Sequence, residues 1–156
     1  TMRVLLEGTT RVQVSRVMRR PGSPLLTARC VPFPLATAAR ASTTAAVRHA
    51  LTLFEEYVGL QRRVPPEIIG ILEGFDTDER VAFGIAAHLQ IPLAERQALL
   101  EAPSLAALAT ALSATLTREL SLLSLERSLD DQVRGAVLQH QREFFLHEQL
   151  RAAAAK

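Results

Sequence analysis

The first part of the chain carries apolar residues in short runs and at alternate positions, a pattern typical of strands. Residues 2–7, Met-Arg-Val-Leu-Leu-Glu, are one strand candidate, and residues 11–17 are predicted to alternate apolar and polar side chains with a period of two. Residues 25–31 are a third strand candidate, separated from the second by the turn-forming sequence Arg-Arg-Pro-Gly-Ser-Pro. This part of the chain therefore predicts three short strands.

The rest of the chain spaces its apolar residues by three and four, as amphipathic helices do. One helix is predicted from a cap at Thr43 or Thr44 to Tyr57, and three shorter helices follow it. Asp76, with Glu79 three residues later, predicts the capping box of the middle short helix.

Ser104 predicts the cap of a final helix that contains no proline and only one glycine, Gly135. Unbroken, this helix covers about 50 residues, roughly 75 Å at the usual rise per residue. A leucine stripe from Leu105 to Leu123 should pack on the preceding helices. Beyond Leu125 charged residues take over, so we expect the second half to project, pair with another helix or contact partner domains.

Together these patterns predict an α+β fold, with a short β segment of three strands, a helical bundle and a long extended C-terminal helix. We divide the chain into residues 1–40 for the β segment, 41–125 for the bundle and 126–156 for the projecting end of the last helix.

The amino-acid composition excludes several classes of protein function. The chain has 156 residues, of which 48% are hydrophobic and 22% charged, as in one globular domain or two small ones. Its only lysine is Lys156, so a P-loop lysine, a Ser-Lys dyad and a Schiff-base lysine have no place inside the fold. A single cysteine, Cys30, excludes an internal disulfide framework. These counts argue against catalysis by this chain.

One helix face carries His140, Glu143 and His147, at a spacing that metal ligands use. A stable site needs three or four ligands with supporting partners, so we interpret these histidines as solvated and predict no metal site. The chain shows no secretory signal pattern, and its most apolar helical stretch is too polar to span a bilayer. We therefore expect a cytoplasmic protein without membrane contact.

Charge is concentrated at the front of the chain. Residues 1–40 contain seven arginines and one acidic residue, Glu7, which gives this part a net charge of +6. Because the whole chain has a net charge of +2, residues 41–156 carry −4. Arg16, Arg19 and Arg20 form a basic patch that could contact nucleic acid. No basic recognition helix follows it, and charges that protect a strand edge from aggregation explain it equally well.

Four strings, in order along the chain, resemble Lon ATP-dependent proteases. The sequence QREFFLHEQL at 141–150 resembles the QREYYLREQ signature of that family, and FEEYV at 54–58 matches a second family segment. IAAHL, followed six residues later by ERQALLE, is similar to a third, and residues 2–14 resemble the family's VLVEGxxRV hairpin. Phe144 and Phe145 replace two tyrosines, which removes the hydroxyls and keeps the apolar contact.

The resemblance implies the non-catalytic amino-terminal domain of a Lon-like protease, which binds unfolded or damaged proteins and supports assembly of a hexamer. The ATPase module, with its ATP and Mg, and the protease module with its Ser-Lys dyad would follow Lys156. No cofactor is then expected in this chain, and the full-length parent would be an ATP-dependent serine endopeptidase of the AAA+ class. Residues 1–40 would be a partial β lobe, so we expect residues 2–31 to be poorly ordered or to complete their sheet with another molecule.

Substrate contact is expected at apolar side chains in the β segment and in the last helix, where burial of apolar area would supply affinity. The alternative for each of them is a place in the ordinary core. The candidates are Leu5, Val12, Val14, Leu26, Phe33, Phe144, Phe145 and Leu146.

Two other functions stay open. The long helix could make the chain a self-associating helical or coiled-coil structural module, which sedimentation over a range of concentrations would test. The basic front could bind nucleic acid, in which case binding to duplex DNA should weaken with salt.

Overall fold

A computed structural model describes the backbone of residues 2–4, 8–36, 41–61 and 63–154, with side chains through residue 145. It confirms the α+β class, with a small sheet first, then four helices of 6 to 20 residues and a long final helix. The elements are β1 (Val12–Arg19), β2 (Leu26–Pro32), α1 (Ala41–Leu60), α2 (Ile68–Glu73), α3 (Asp78–His88), α4 (Leu93–Leu100) and α5 (Leu105–Ala154).

The β segment has two antiparallel strands, so the prediction of three was wrong for the described residues. In the turn between them, Ser23 N–H donates to the Arg20 carbonyl oxygen at 3.1 Å, and Gly22 has φ 78°, which glycine adopts without strain. Residues 2–4 form no strand, and residues 5–7 lie outside the described part. A strand exists through its pairing, and residues 2–4 pair with neither edge of the hairpin.

An irregularity in β1 decides which side chains share a face of the hairpin. Between Val14 and Arg16 the register advances two residues in β1 and one in β2, so Ser15 is the extra residue of a β-bulge. The Ser15 hydroxyl donates to the Arg29 carbonyl oxygen at 3.0 Å. Because of the bulge Val17 lies on the same face as Val14, whereas strict alternation would place it on the opposite face.

The helices enclose the core, and every buried hydrophobic residue of the described chain lies between Leu35 and Leu116. Helices α1 and α5 pack side by side, and α3 packs against both. The Tyr57 ring stacks on Phe54 with centroids 6.0 Å apart, and its buried hydroxyl accepts from Gln90 N–H at 3.1 Å. The largest fully buried side chains are Phe54, Tyr57, Leu72, Ile85, Leu89, Leu108, Leu112 and Leu116.

The cap predicted at Ser104 is confirmed, because its hydroxyl accepts from the backbone N–H three residues later at 3.2 Å. The cap predicted at Asp76 was wrong by one residue. Helix α3 begins at Asp78, so the preceding Thr77 holds the cap position and accepts from Arg80 N–H at 3.4 Å. The Asp76 carboxylate instead accepts from the Arg80 guanidinium at 3.1 Å.

The final helix, α5, runs unbroken for 50 residues, as predicted. Leu116 is its last fully buried residue, and Leu120 and Leu123 are half-buried against the core. Every side chain from 124 to 145 is exposed. Within the described chain, no helix combines the length and the apolarity needed to cross a membrane.

Arg11 joins the hairpin to the bundle. Its Nε–H donates to the Phe33 carbonyl oxygen at 2.8 Å, and its Nη1 donates to the carbonyl oxygens of Leu100 at 2.8 Å and Ala102 at 2.7 Å. The guanidinium lies over the Phe33 ring, 4.4 Å from its centroid. One side chain thereby holds the base of the hairpin against the connection between α4 and α5.

Candidate functional site

One face of the hairpin is apolar and open to solvent. The exposed fraction is 46% at Val12, 53% at Val14, 60% at Val17 and 64% at Leu26. Contiguous exposed apolar surface is a common mark of a binding site. Cross-strand pairing defines this apolar hairpin face as Val12, Val14 and Val17 of β1 with Leu26, Ala28, Cys30 and Pro32 of β2.

The opposite face of the hairpin is basic. It carries Gln13, Arg16 and Met18 of β1 with Thr27, Arg29 and Val31 of β2, and we call it the basic hairpin face. Arg16 and Arg29 lie directly opposite each other, and no described carboxylate forms a salt bridge with either. Residues 8–35 contain five arginines and no Asp or Glu, so the charge of the hairpin is entirely positive.

The predicted basic patch is divided by this geometry. Arg16 lies on the basic hairpin face, whereas Arg19 pairs with Leu26 and ends the apolar face at the turn. Arg20 belongs to the turn itself. The charge that joins Arg16 comes from Arg29, which the sequence pattern did not single out.

The contact candidates in the β segment have different surroundings. Val12, Val14 and Leu26 lie together on the apolar hairpin face, as a contact role requires. Phe33 is half-buried beneath the Arg11 guanidinium, so its ring belongs to the anchor of the hairpin. Leu5 lies outside the described residues.

The candidates on α5 are far along its exposed half. Phe144 and Phe145 are 64% and 66% exposed, and their rings contact edge to face with centroids 6.2 Å apart. His140 and Gln141 border the same shallow apolar surface. The side chain of Leu146 lies outside the described part of the chain.

The exposed half of α5 also carries an apolar stripe that the bundle does not cover. At about 100° per residue, this stripe is about a quarter-turn from the row that faces the core. The core row continues instead into the charged residues Glu126, Asp130 and Arg134. The α5 stripe consists of Leu122, Leu125, Leu129, Val133, Val137 and Phe144, all exposed.

The sequence patterns did not single out three residues of the candidate surface and its anchor, namely Val17, Arg29 and Arg11. The alternation predicted for residues 11–17 fails after Val14, because Ser15 and Arg16 are both polar and Val17 follows at an odd spacing. Such a break in alternation is the signal that a bulge leaves in a sequence. Arg29 is the one charge within an otherwise uncharged strand. Arg11 had no local signal, because the carbonyl oxygens of Leu100 and Ala102 are about ninety residues away in sequence.

Comparison with known proteins identifies the family of this chain. The family described as the ATP-dependent protease La (LON) substrate-binding domain matches residues 1–118. Proteins named Lon protease are 31% identical in Azorhizobium caulinodans, 32% in Xanthomonas oryzae pv. oryzae and 31% in Escherichia coli K12, each over 97% of this chain. The chain spans only 18% or 19% of the length of these relatives. The match confirms the resemblance that the four strings indicated, and this chain belongs to the family of Lon substrate-binding domains.

Proposed function

We propose that this chain binds unfolded or damaged protein segments as the non-catalytic amino-terminal part of a Lon-type ATP-dependent protease. The apolar hairpin face is the observation that carries the proposal. It gathers Val12, Val14, Val17 and Leu26 on one surface outside the core, where an unfolded chain can reach them. Unfolded proteins differ from folded ones by exposing such apolar residues themselves.

The energetics of the apolar hairpin face suit weak, general capture. Full burial of a valine or leucine side chain contributes about 1.5–3 kcal/mol, and the four exposed side chains of this face, already about half covered, would each gain roughly half of that or less. Ordering a flexible segment and immobilising it on the hairpin cost a comparable amount. A few such contacts therefore give reversible binding, which suits a domain that passes substrates onward.

The test compares two faces of the same hairpin. A double variant, Val14→Ser with Val17→Ser, should weaken binding of a permanently unfolded protein, such as reduced and carboxymethylated lactalbumin, by about tenfold, because it removes about 1.4 kcal/mol of apolar contact. Fluorescence anisotropy of the labelled unfolded protein measures the change.

The matched control, Gln13→Ser with Thr27→Ser, changes the basic hairpin face and should bind as the unchanged chain does. Both variants should keep the same circular dichroism, because neither strand contributes to the buried core. Equal binding by the two variants, or no binding by the unchanged chain, would refute the proposal.

Catalysis, in this proposal, belongs to other parts of the protease. ATP, Mg and the Ser-Lys dyad would be held outside this segment, whose only lysine is Lys156. The protein substrates and the other subunits of the same protease would be its partners, in the cytoplasm.

A second function, self-association, is favoured by the α5 stripe. Leu129 and Val133 are 52% and 63% exposed at neighbouring turns of the helix, as the contact residues of a helix pair are. Leu129→Glu with Val133→Glu should shift any dimer seen by sedimentation velocity to monomer. Ser124→Glu with Ser128→Glu, on another face of α5, should leave it unchanged. A strict monomer at all concentrations would exclude this function.

A further inference from the structure

The outer edge of β2 is open and regular. Within the described residues the sheet has two strands, and none of these residues pairs with the outer side of β2. The bulge at Ser15 interrupts β1, and bulges disturb pairing along an edge. β2 pairs without irregularity from Leu26 to Val31, and its first six residues contain no proline. An added strand would therefore find its backbone partners along β2.

A strand added at this edge would meet two different surfaces. Its side chains alternate between the two faces of the enlarged sheet. On one side they would lie beside Leu26, Ala28 and Cys30 of the apolar hairpin face. On the other side they would lie beside Thr27, Arg29 and Val31 of the basic hairpin face, where Arg29, with Arg16 across the hairpin, is the charged position.

The pair of arginines on the basic hairpin face has no counter-charge among the described residues. Like charges directly opposite each other across a strand pair are unfavourable. Arg16 and Arg29 occupy such a position, and none of the carboxylates in the described chain reaches them. A carboxylate on an added strand would accept hydrogen bonds from Arg29 and lower this repulsion.

We propose that the β2 edge binds, as an added strand, polypeptide segments in which apolar and acidic residues alternate. The inference rests on the proposed function and names the class of substrate that this surface prefers. Backbone hydrogen bonds would supply general affinity, while the apolar and basic faces select the side chains. The site would select for the alternating order of residues. In any other order, a strand cannot place its apolar side chains on the apolar hairpin face and its acidic side chains on the basic hairpin face at the same time.

The chemistry of the hairpin favours an acidic protein segment over a second copy of the hairpin or a nucleic acid. A second copy would bring residues 8–35, which contain five arginines and no acid, against the same charges. A nucleic acid would gain nothing from the apolar face, and residues 8–32 contain no aromatic ring on which bases could stack. The N–H and C=O groups that alternate along a strand edge can form hydrogen bonds with the C=O and N–H groups of another polypeptide backbone.

The test uses the 156-residue chain and three short labelled peptides. One alternates valine and glutamate, one has the same composition in two blocks, and one alternates valine and lysine. The alternating acidic peptide should bind at least tenfold more tightly than its block isomer, and the lysine peptide should bind more weakly than either. This comparison needs no variant of the protein, so folding does not affect it.

Strand addition makes a further demand on the peptide. Only every second residue of an added strand directs its N–H and C=O groups toward the sheet, and these residues share one side-chain face. We therefore compare two peptides, one with every valine N-methylated and one with every glutamate N-methylated. The peptide whose methylated N–H groups point toward β2 should lose binding, and the other should bind as before. Equal effects of the two methylation patterns would exclude strand addition.

A charge reversal locates the site. Arg29→Glu should exchange the preference, so that the alternating lysine peptide binds more tightly than the glutamate peptide. Arg48→Glu, on the exposed surface of α1, makes the same change of charge and should preserve the original preference.

Two results would overturn the inference. The alternating and block peptides could bind equally, or single-stranded DNA could displace the acidic peptide as effectively as the peptide itself does. If the unfolded protein still binds in either case, the proposed function stands and only the preference for alternating acidic segments is lost. If neither the unfolded protein nor any peptide binds, both fail.

Discussion

Gly84 lies where α3 passes closest to the neighbouring helix α2. A Cβ atom at this position would be 2.3 Å from Leu72 Cδ2 and 3.1 Å from Phe75 Cε2. Leu72 is only 1% exposed, so its side chain cannot swing into solvent to make room. The absence of a side chain at Gly84 therefore allows the two helices to pack.

Gly84→Ala should lower the free energy of unfolding by about 1–3 kcal/mol, because the added methyl group overpacks the core. The matched control is Gly135→Ala in α5, where a Cβ atom meets nothing within 4 Å. It should leave the stability unchanged or raise it by up to about 1 kcal/mol through helix propensity. Urea denaturation measures both, and equal effects at the two glycines would contradict the packing argument.

At the scale of elements, the two halves of α5 differ, because the first half packs in the core and the second half is exposed to solvent. Its first half contributes Leu108, Leu112 and Leu116 to the core, and Arg118 pairs there with Glu95 of α4, which raises the pKa of the guanidinium. Its second half has only exposed side chains through residue 145. The apolar row rotates around the helix between the halves, so the same residue type has a different role in each.

Leucine-to-alanine substitutions in the two halves of α5 should differ sharply. Leu112→Ala should reduce the free energy of unfolding by about 2–5 kcal/mol, because it leaves a cavity in the core. Leu129→Ala changes a side chain that is 52% exposed and should alter the free energy by no more than about 0.5 kcal/mol. Thermal or urea denaturation at low protein concentration tests this, and a large loss at Leu129 would mean that the second half is also packed.

At the scale of the whole molecule, the hairpin and the bundle are joined through few contacts. Arg11 bonds to carbonyl oxygens on both, and a parallel bridge between Ala36 and Ser104 lies next to this link. The hairpin itself places no residue in the buried core of the described chain. The position of the binding surface therefore depends on this link more than on the stability of the bundle.

Arg11→Lys should loosen the hairpin while preserving the bundle. An ammonium group lacks the planar fork that reaches separate carbonyl oxygens, so we expect a loss of about 1–3 kcal/mol at this link. Hydrogen exchange should then show reduced protection for β1 and β2 amides and unchanged protection in α1 and α5. Arg19→Lys at the exposed turn end is the control. Equal loss of protection throughout the chain would show that the hairpin and bundle unfold together.

The sequence by itself determined the order of the helices, the unbroken α5 and the family. Periodicity, the Ser104 cap and the four strings are local features that a short stretch of chain establishes without help from the rest. It also identified Val12, Val14 and Leu26 as candidates for contact. The expected third strand is absent from the described residues, since a stretch becomes a strand only where a partner edge pairs with it and residues 2–4 pair with none.

Tertiary structure alone decided which side chains share a surface. The bulge at Ser15 brings Val17 beside Val14, and strand pairing sets Arg29 opposite Arg16. Arg11 acquires its role from carbonyl oxygens that only folding brings near. Periodicity depends on neighbours along the chain, whereas register, exposure and long-range hydrogen bonds depend on residues that are distant in sequence. For this reason the sequence could identify the elements, and the arrangement of the two hairpin faces required the fold.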